Sequence, residues 1–549
     1  MSRSPLIDIV RRSFRLSQLS AQTQIPVDEL DEMLRVERSR RQILQAGILT
    51  AGALGTRSLL SATPPHAAAA ATRDAANILV VGAGVAGLTV AYRLRQAGVA
   101  VDVIEASSRI GGRLRSMSKL MGSDDVVELG GEFIDTQHTA VRALAAELGL
   151  EMADLRQADA GLEPEVLYFG GQRISHAQVV QGFSPLAAQI TQDLLALGSF
   201  AGSRSITYHA VTSTARRLDQ LSLEDYLDTA SVDPVIKELV RVAYVTEYGR
   251  DADAQTCLNM LCLIGAEVGQ WSTYGVSDER WHIVGGNEQL PQALAQRVER
   301  LVETDTRLES LQETGDRRYR ASLCHDHTPI ERTYDAVVLA VPFSVLRQVN
   351  LDVALPEVKQ RAIAQLGYGT CSKLAVPFQE RIWRDRYGST ISLYTDLALQ
   401  NTWESARYRV GPSGWVTNLR GGREGLNLAA HSPDAQAEAF TTDLNAVFPG
   451  IDQVSRGTAL RAVWSAEPHA LGSYSCYLPG QWTRFGGAEG EPVDNLWFVG
   501  EHCSLDSQGY MNGAVETAET AAQGILRRLS QTTGRSQAHP PVNSQINST

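Results

Sequence analysis

Nowhere in this chain do about 20 apolar residues follow one another unbroken, so no transmembrane helix is predicted. Cysteine is scarce as well. The six cysteines (Cys257, Cys262, Cys324, Cys371, Cys476, Cys503) are scattered over 549 residues. They lack the paired spacing of a metal site and read as buried thiols rather than a disulfide framework, so no metal centre is expected. Positive charge is also in deficit, with 50 basic against 62 acidic residues and a formal charge of −12. That argues against a nucleic-acid surface and is compatible with attracting cationic small molecules. What remains, 43% hydrophobic and 20% charged, is globular composition, in a chain long enough for two domains or one interleaved pair.

Glycine, by contrast, is placed with purpose. Ile78-Leu79-Val80-Val81 is an apolar run that leads into Gly82-Ala83-Gly84-Val85-Ala86-Gly87. A helical pattern follows through Leu88, Ala91 and Leu94, Gly98 ends it, and a second apolar run from Val99 to Ile104 closes on Glu105. Strand, glycine turn, helix, strand and a terminal acid about 20 residues on is the context of a dinucleotide fingerprint. Gly82 permits the turn, Gly84 and Ala86 let backbone approach a pyrophosphate, and Gly87 lets helix pack on strand. The helix N-terminus offers unpaired N–H groups to phosphate. Glu105 would accept from ribose hydroxyls and repel a 2′-phosphate, which disfavours NADP.

The residues after Glu105, Ala106-Ser107-Ser108-Arg109-Ile110-Gly111-Gly112-Arg113, resemble the extension carried by flavoproteins of the flavin-containing amine oxidase family. The resemblance runs from Asn77 to about Arg528 with the motifs in family order, and it implies a cofactor, FAD, cradled at its pyrophosphate by Gly112 and Arg113. Val127-Glu128-Leu129-Gly130-Gly131-Glu132-Phe133 is similar to the third glycine element, which would bring Gly130, Gly131 and Glu132 to the flavin. Leu308 would pack by the adenine. Lys373, in Leu366-Gly367-Tyr368-Gly369-Thr370-Cys371-Ser372-Lys373, matches the lysine that holds a water at flavin N5. Trp464, Gly500, Glu501, Gly509, Tyr510 and Met511 match the final flavin motifs, with Glu501 on the ribityl chain and the helix near Met511 facing the flavin O2 side. Tyr474 and Tyr510 stand where two aromatics sandwich the substrate amine. A serine, Ser473, occupies the position of the cysteine that bonds the flavin in covalent members, so FAD is expected to be non-covalent.

The implied fold is α/β with two interleaved domains. A Rossmann-like FAD domain would be built from 77–150, 282–345 and 465–530, and a mixed substrate domain from 151–281 and 346–464. Residues 150–280 read as mainly helical, with Ser222 as an N-cap, and Trp271, Tyr274 and Trp281 read as packing residues. Residues 1–71 resemble a twin-arginine export leader (Arg40, Arg41, a weakly apolar run, then an alanine tract), which implies a periplasmic or extracytoplasmic protein. From Gly534 the chain reads as a disordered tail.

The implied activity is oxidation of a C–N bond in an amine or L-amino acid by hydride transfer to flavin, with oxygen or a quinone as acceptor. Lys373, Tyr474 and Tyr510 would be its catalytic residues. Glu132 and Asp135 are candidates for reading a basic substrate. The arginine that some L-amino-acid oxidases place after the third glycine element has no counterpart in Glu132-Phe133-Ile134. Expected partners are the small-molecule substrate, the acceptor, the export machinery and, as a possible assembly, a second copy of the chain; nucleic acid is not among them. A carotenoid-desaturase or porphyrinogen-oxidase-like enzyme and a non-catalytic flavin redox sensor are the alternatives that keep the same glycine motifs.

Overall fold

The computed structural model describes residues 76–118, 120, 125–198, 206–265, 277–298, 302–405 and 407–536, with isolated positions between 13 and 28. The leader with Arg40 and Arg41, and also Trp271 and Tyr274, lie outside the described residues. The architecture is α/β, built on two large sheets.

The first sheet is parallel and five-stranded. Its order is Leu496–Phe498, Ala336–Leu339, Ile78–Val81, Val101–Ile104 and Val302–Glu303. Every residue of Ile78–Val81 and of Ala336–Leu339 is buried, which is why these strands read as unbroken apolar runs rather than alternating ones. The helix Val85–Gln96 follows the first strand. It begins at Gly84 in extended conformation and ends with Arg93 and Arg95 in its last turn, where cations suit the negative end of the dipole. Its apolar side (Leu88, Ala91) packs with Val515 and Ala518 of the long helix Met511–Ser536 in one core. Arg93 pins the assembly from outside, pairing with Glu147 and Glu519 at 2.7 Å each. The tail read from Gly534 overlaps the end of that helix, and its remainder lies outside the described residues.

The second sheet has seven strands, in the order Leu460–Val463, Ser372–Phe378, Gly414–Arg420, Asn401–Ser405, Leu393–Thr395, Val166–Phe169 and Gln172–Arg173. Its pairings are antiparallel except that of Leu393–Thr395 with Val166–Phe169. The described residues between 150 and 280 are largely helical, as their pattern predicts, and Ser222 caps Leu223–Asp228 through a capping box with Asp225. The strands at 166–173 depart from that reading. Val166-Leu167-Tyr168-Phe169 is a four-residue apolar run, and periodicity cannot separate so short a run from buried helix. Of the aromatics from this stretch, Trp281 packs as expected. Its Nε1 donates to Thr136 Oγ1 at 3.0 Å, and Arg142 and Arg280 lie over its ring.

A four-stranded sheet (Thr328–Tyr334, Tyr319–His325, Thr306–Glu313, Asn350–Asp352) lies against one end of the parallel sheet and shares a core with it through Leu308, Leu311 and Ile104. All six cysteines are free thiols.

Candidate active site

A groove of about 470 Å³ runs along the C-terminal ends of the parallel strands, the place where open α/β sheets bind ligands. Gly82, Gly84, Ala86, Glu105, Gly112, Arg113, Gly131, Leu308, Trp464, Gly500, Glu501, Gly509, Tyr510 and Met511 all line it. Gly87, Gly130, Glu132, Lys373 and Tyr474 do not; they stand behind its wall.

The backbone explains this division. Gly82 has φ +103°, and a Cβ there would sit 2.9 Å from the Ala340 carbonyl oxygen. At Gly84 a Cβ would meet nothing within 4 Å, because it would project into the groove. Gly84 and Gly111 are bridged, and Gly112 with φ +56° faces the Cα of Gly84. These glycines form a floor without side chains beneath the start of Val85–Gln96, shaped for a group that needs close backbone contact. Gly87 and Gly130 serve packing instead. A Cβ at either would come within 2.0 Å of a carbonyl oxygen, that of Gly82 or of Arg113.

Glu105 and Glu501 are both buried. One Glu105 oxygen accepts from Ala83 N–H at 2.8 Å and the other from Ser107 N–H at 2.9 Å, so each keeps a lone pair toward the groove. Glu501, expected at the ribityl chain, lines the groove and is also a structural tie. It ties together Arg113 (2.7 Å), Ser475 N–H and Oγ, and Gly509 N–H at 3.0 Å. Burial works to raise its pKa, yet the Arg113 guanidinium holds it below the usual carboxylate range. Glu501 therefore clamps the second glycine element to the last one.

Tyr474 lies beside the turn that carries Tyr510. A Cβ on Gly509 would lie 3.9 Å from Cδ2 of Tyr474, and Tyr510 is the next residue. Tyr474 is fixed by its hydroxyl, which donates to the Thr246 carbonyl at 2.8 Å and lies 3.0 Å from Cys371 Sγ. Tyr510 packs against the His138 ring, centroids 4.7 Å apart. Asn512, two residues on, accepts from Ala140 and Val141 N–H and so caps the helix Thr139–Glu147. The Tyr510 turn and the segment after the third glycine element are thus one unit.

Lys373 lies at the head of Ser372–Phe378, 4% exposed. Its ammonium donates to the Glu128 carbonyl (3.0 Å), the Gly130 carbonyl (2.9 Å) and Glu132 Oε2 (2.7 Å). A lysine has three N–H donors, and all three are taken. This arrangement leaves none for the water expected of Lys373, and it makes Glu132 a partner of the lysine rather than a lining residue. The second Glu132 oxygen accepts from Trp403 Nε1 at 2.9 Å, and the Trp403 ring lies 5.0 Å from Lys373 Nζ. Asp135 is likewise occupied. It accepts from Ser277 Oγ and from the N–H groups of Asp278 and Glu279, and its other oxygen is 3.4 Å from His138 Nε2. Burial pushes its pKa up to about 6, with nearby Asp278 adding to the rise.

Sequence reasoning missed Trp403, His138 and Asn512, which sit in unremarkable local contexts. It also missed His502, buried in the groove wall, whose imidazole is pushed down to about 4 by burial and so is neutral near pH 7.

A groove with a glycine floor, a helix N-terminus and two buried carboxylates fits a dinucleotide, and the fold and site define a dinucleotide-cofactor oxidoreductase. The chain belongs to the flavin-containing amine oxidoreductase family, whose pattern matches residues 85–526, and the family implies a flavin cofactor. It is 24% identical over 489 residues to an L-amino acid dehydrogenase of Synechocystis sp., covering 85% of this chain and 98% of that one. It is also 24% identical over 468 residues to the flavin-containing amine oxidase B of Sus scrofa, covering 82% and 86%. The fold matches cyclohexylamine oxidase from Brevibacterium oxydans with a TM-score of 0.70 at 21% identity, over 83% of this chain and all of that one.

Proposed function

We propose that this protein binds FAD non-covalently and oxidises the C–N bond of an amine or L-amino acid, releasing an imine that water converts to a carbonyl or 2-oxo product and ammonia or an amine. The observation that carries the reading is the groove floored by Gly82, Gly84 and Gly112, with Tyr510 in its lining and Tyr474 packed behind the neighbouring Gly509. The names of the relatives, an amino acid dehydrogenase and an amine oxidase, support the same class.

Bound FAD would supply the hydride acceptor. The chain supplies position and dryness. Gly82, Gly84 and Gly112 admit the pyrophosphate to the helix N-terminus, Glu105 addresses the ribose, and Leu308 covers the adenine end. Tyr474, held by Thr246 and Cys371, and Tyr510, held by His138, orient the substrate carbon. The start of Met511–Ser536 directs a positive dipole end into the groove, where it stabilises negative charge that develops on reduction. Ser473 presents no thiolate for attachment, so acid denaturation releases FAD into the supernatant.

The leader supports export in the folded, flavin-loaded state by the twin-arginine route. Changing Arg40 and Arg41 to lysine is expected to leave holoprotein in the cytoplasm; normal export of that variant would overturn the reading. For the catalytic reading, product analysis over a panel of amines and L-amino acids with an artificial electron acceptor is the test. Ammonia and a carbonyl product from at least one class support it, and their absence with flavin fully bound refutes it.

A further inference from the structure

The lysine expected to hold a water at flavin N5 is electrically cancelled. Lys373 and Glu132 meet at 2.7 Å with side chains 4% and 5% exposed. Away from solvent such a pair behaves as a dipole, not as a charge, at distances beyond a few ångströms. Three further contacts lock it. The remaining ammonium hydrogens are spent on the carbonyls of Glu128 and Gly130, and Trp403 holds the far carboxylate oxygen. The pair is one layer behind the groove, since Gly131, next to the Gly130 carbonyl that Lys373 holds, lines it.

The rest of the groove repeats the pattern. Each arginine that lines it faces a carboxylate: Arg113 with Glu501 at 2.7 Å, Arg307 with Glu309 at 2.6 Å, Arg109 with Glu288 at 3.6 Å. His502, in the same wall, is held neutral by burial. Among the described residues, then, each arginine that lines the groove, and Lys373 behind it, has a carboxylate partner.

Uncompensated charge matters to one partner more than another. Oxygen takes its two electrons singly, and the first makes superoxide, an anion that needs a nearby cation if its barrier is to fall. A quinone takes two electrons and two protons to become a neutral quinol and has no such need. Resting on the FAD reading above, we propose that Glu132 cancels the charge of Lys373 so that the reduced cofactor passes its electrons to an organic acceptor of the quinone class and reacts poorly with oxygen. The balance is complete: the substrate loses two electrons and two protons in becoming an imine, and the quinone gains the same two electrons and two protons. Glu132 and Lys373 are positioning residues in this scheme, acting through the electrostatics of the site.

The test begins with holoprotein reduced by light or dithionite, so that no amine substrate enters it. The reduced wild type is mixed with air-saturated buffer or with a soluble short-chain benzoquinone at equal concentration. Reoxidation by the quinone is expected to be at least about 100-fold faster. Glu132→Gln, which leaves the Lys373 charge uncompensated, is expected to raise the oxygen rate at least tenfold and to move the flavin midpoint potential to a more positive value. Trp403→Phe loosens the same carboxylate but keeps its charge, and should leave both quantities near wild type, whereas a merely structural role would move the two variants together. Equal oxygen and quinone rates in the wild type would overturn the proposal, and so would a Glu132→Gln oxygen rate and potential that stay unchanged. If Glu132→Gln fails to hold flavin, the wild-type ratio alone decides. Failure of amines to reduce the wild-type flavin is a separate result, which refutes the substrate reading and leaves this one standing.

Discussion

The glycine floor and the wall around Lys373 lie one layer apart and are built on opposite principles. The floor is backbone. Gly82, Gly84, Gly111 and Gly112 come from one stretch of about thirty residues, and their role is to leave space. The wall is side chain. Lys373, Glu132 and Trp403 come from three separate strands or loops, and every N–H donor of the lysine and the indole is taken. The floor is shaped for a ligand to complete; the wall is complete without one. Changes to the floor should therefore be read out in cofactor binding, and changes to the wall in stability and electrostatics.

The largest effect is expected at Gly84. A Cβ there meets no atom of the protein within 4 Å, so the chain should fold while a leucine side chain enters the pyrophosphate floor. FAD affinity should fall at least ~1,000-fold, equivalent to roughly 4 kcal/mol, in a binding titration of the apoprotein. Retention of tight FAD by a folded Gly84→Leu variant would break the comparison from the floor side.

Lys373→Met tests the wall. It strands the Glu132 carboxylate and removes three hydrogen bonds, so a loss of roughly 3–5 kcal/mol in chemical denaturation is expected, because an unpaired buried charge is costly. The double variant with Glu132→Gln should recover part of that loss. If Lys373→Met is as stable as wild type, the wall does not depend on the pair.

That the floor was legible in sequence and the wall was not has a physical reason. The glycines signal themselves, because a positive φ or a 2 Å approach excludes every other residue at Gly82 or Gly87, and spacing within one motif is preserved in the fold. Lys373 was found through its strand, yet its partners were not. Nothing within 200 residues of it indicates Glu128, Gly130 and Glu132, and whether a lysine holds water or carbonyls depends on how two sheets meet. Trp403 and His138 carry no local signal at all. The strand Val166–Phe169 was hidden for a related reason: one of its two neighbours in the sheet, Leu393–Thr395, is more than 200 residues away, and the other is only the two-residue strand Gln172–Arg173.

Tyr510→Ala probes the seam between the two regions. It should cost roughly 2–3 kcal/mol in the barrier to flavin reduction, or about 30–150-fold in rate. FAD affinity should fall by less than the rate, since the glycine floor is untouched. A loss of FAD matching the loss of rate would place Tyr510 in the floor instead.

The smallest effect sharpens the comparison at Asp135. Burial raises this carboxyl to about 6, so the folded protein holds a proton that the unfolded chain releases near pH 4. Stability is therefore highest below pH 4 on account of this group and declines as pH rises toward 6, by an amount on the order of 2 kcal/mol. Asp135→Asn keeps the acceptor for Ser277, Asp278 and Glu279 and should flatten that decline, as followed by thermal denaturation at a series of pH values. An unchanged pH profile would mean that Asp135 does not titrate in this window.

The central claim is that the two tyrosines at the end of the glycine floor present an amine or amino acid to bound flavin. Anaerobic mixing of the holoprotein with a graded panel of amines and L-amino acids tests it most directly, because no acceptor takes part. The account predicts bleaching of the oxidised flavin band by at least one of these classes, at a rate that saturates with concentration and falls about 30–150-fold in Tyr510→Ala. Full flavin occupancy with no bleaching by any member of the panel, or bleaching indifferent to Tyr510, would contradict it.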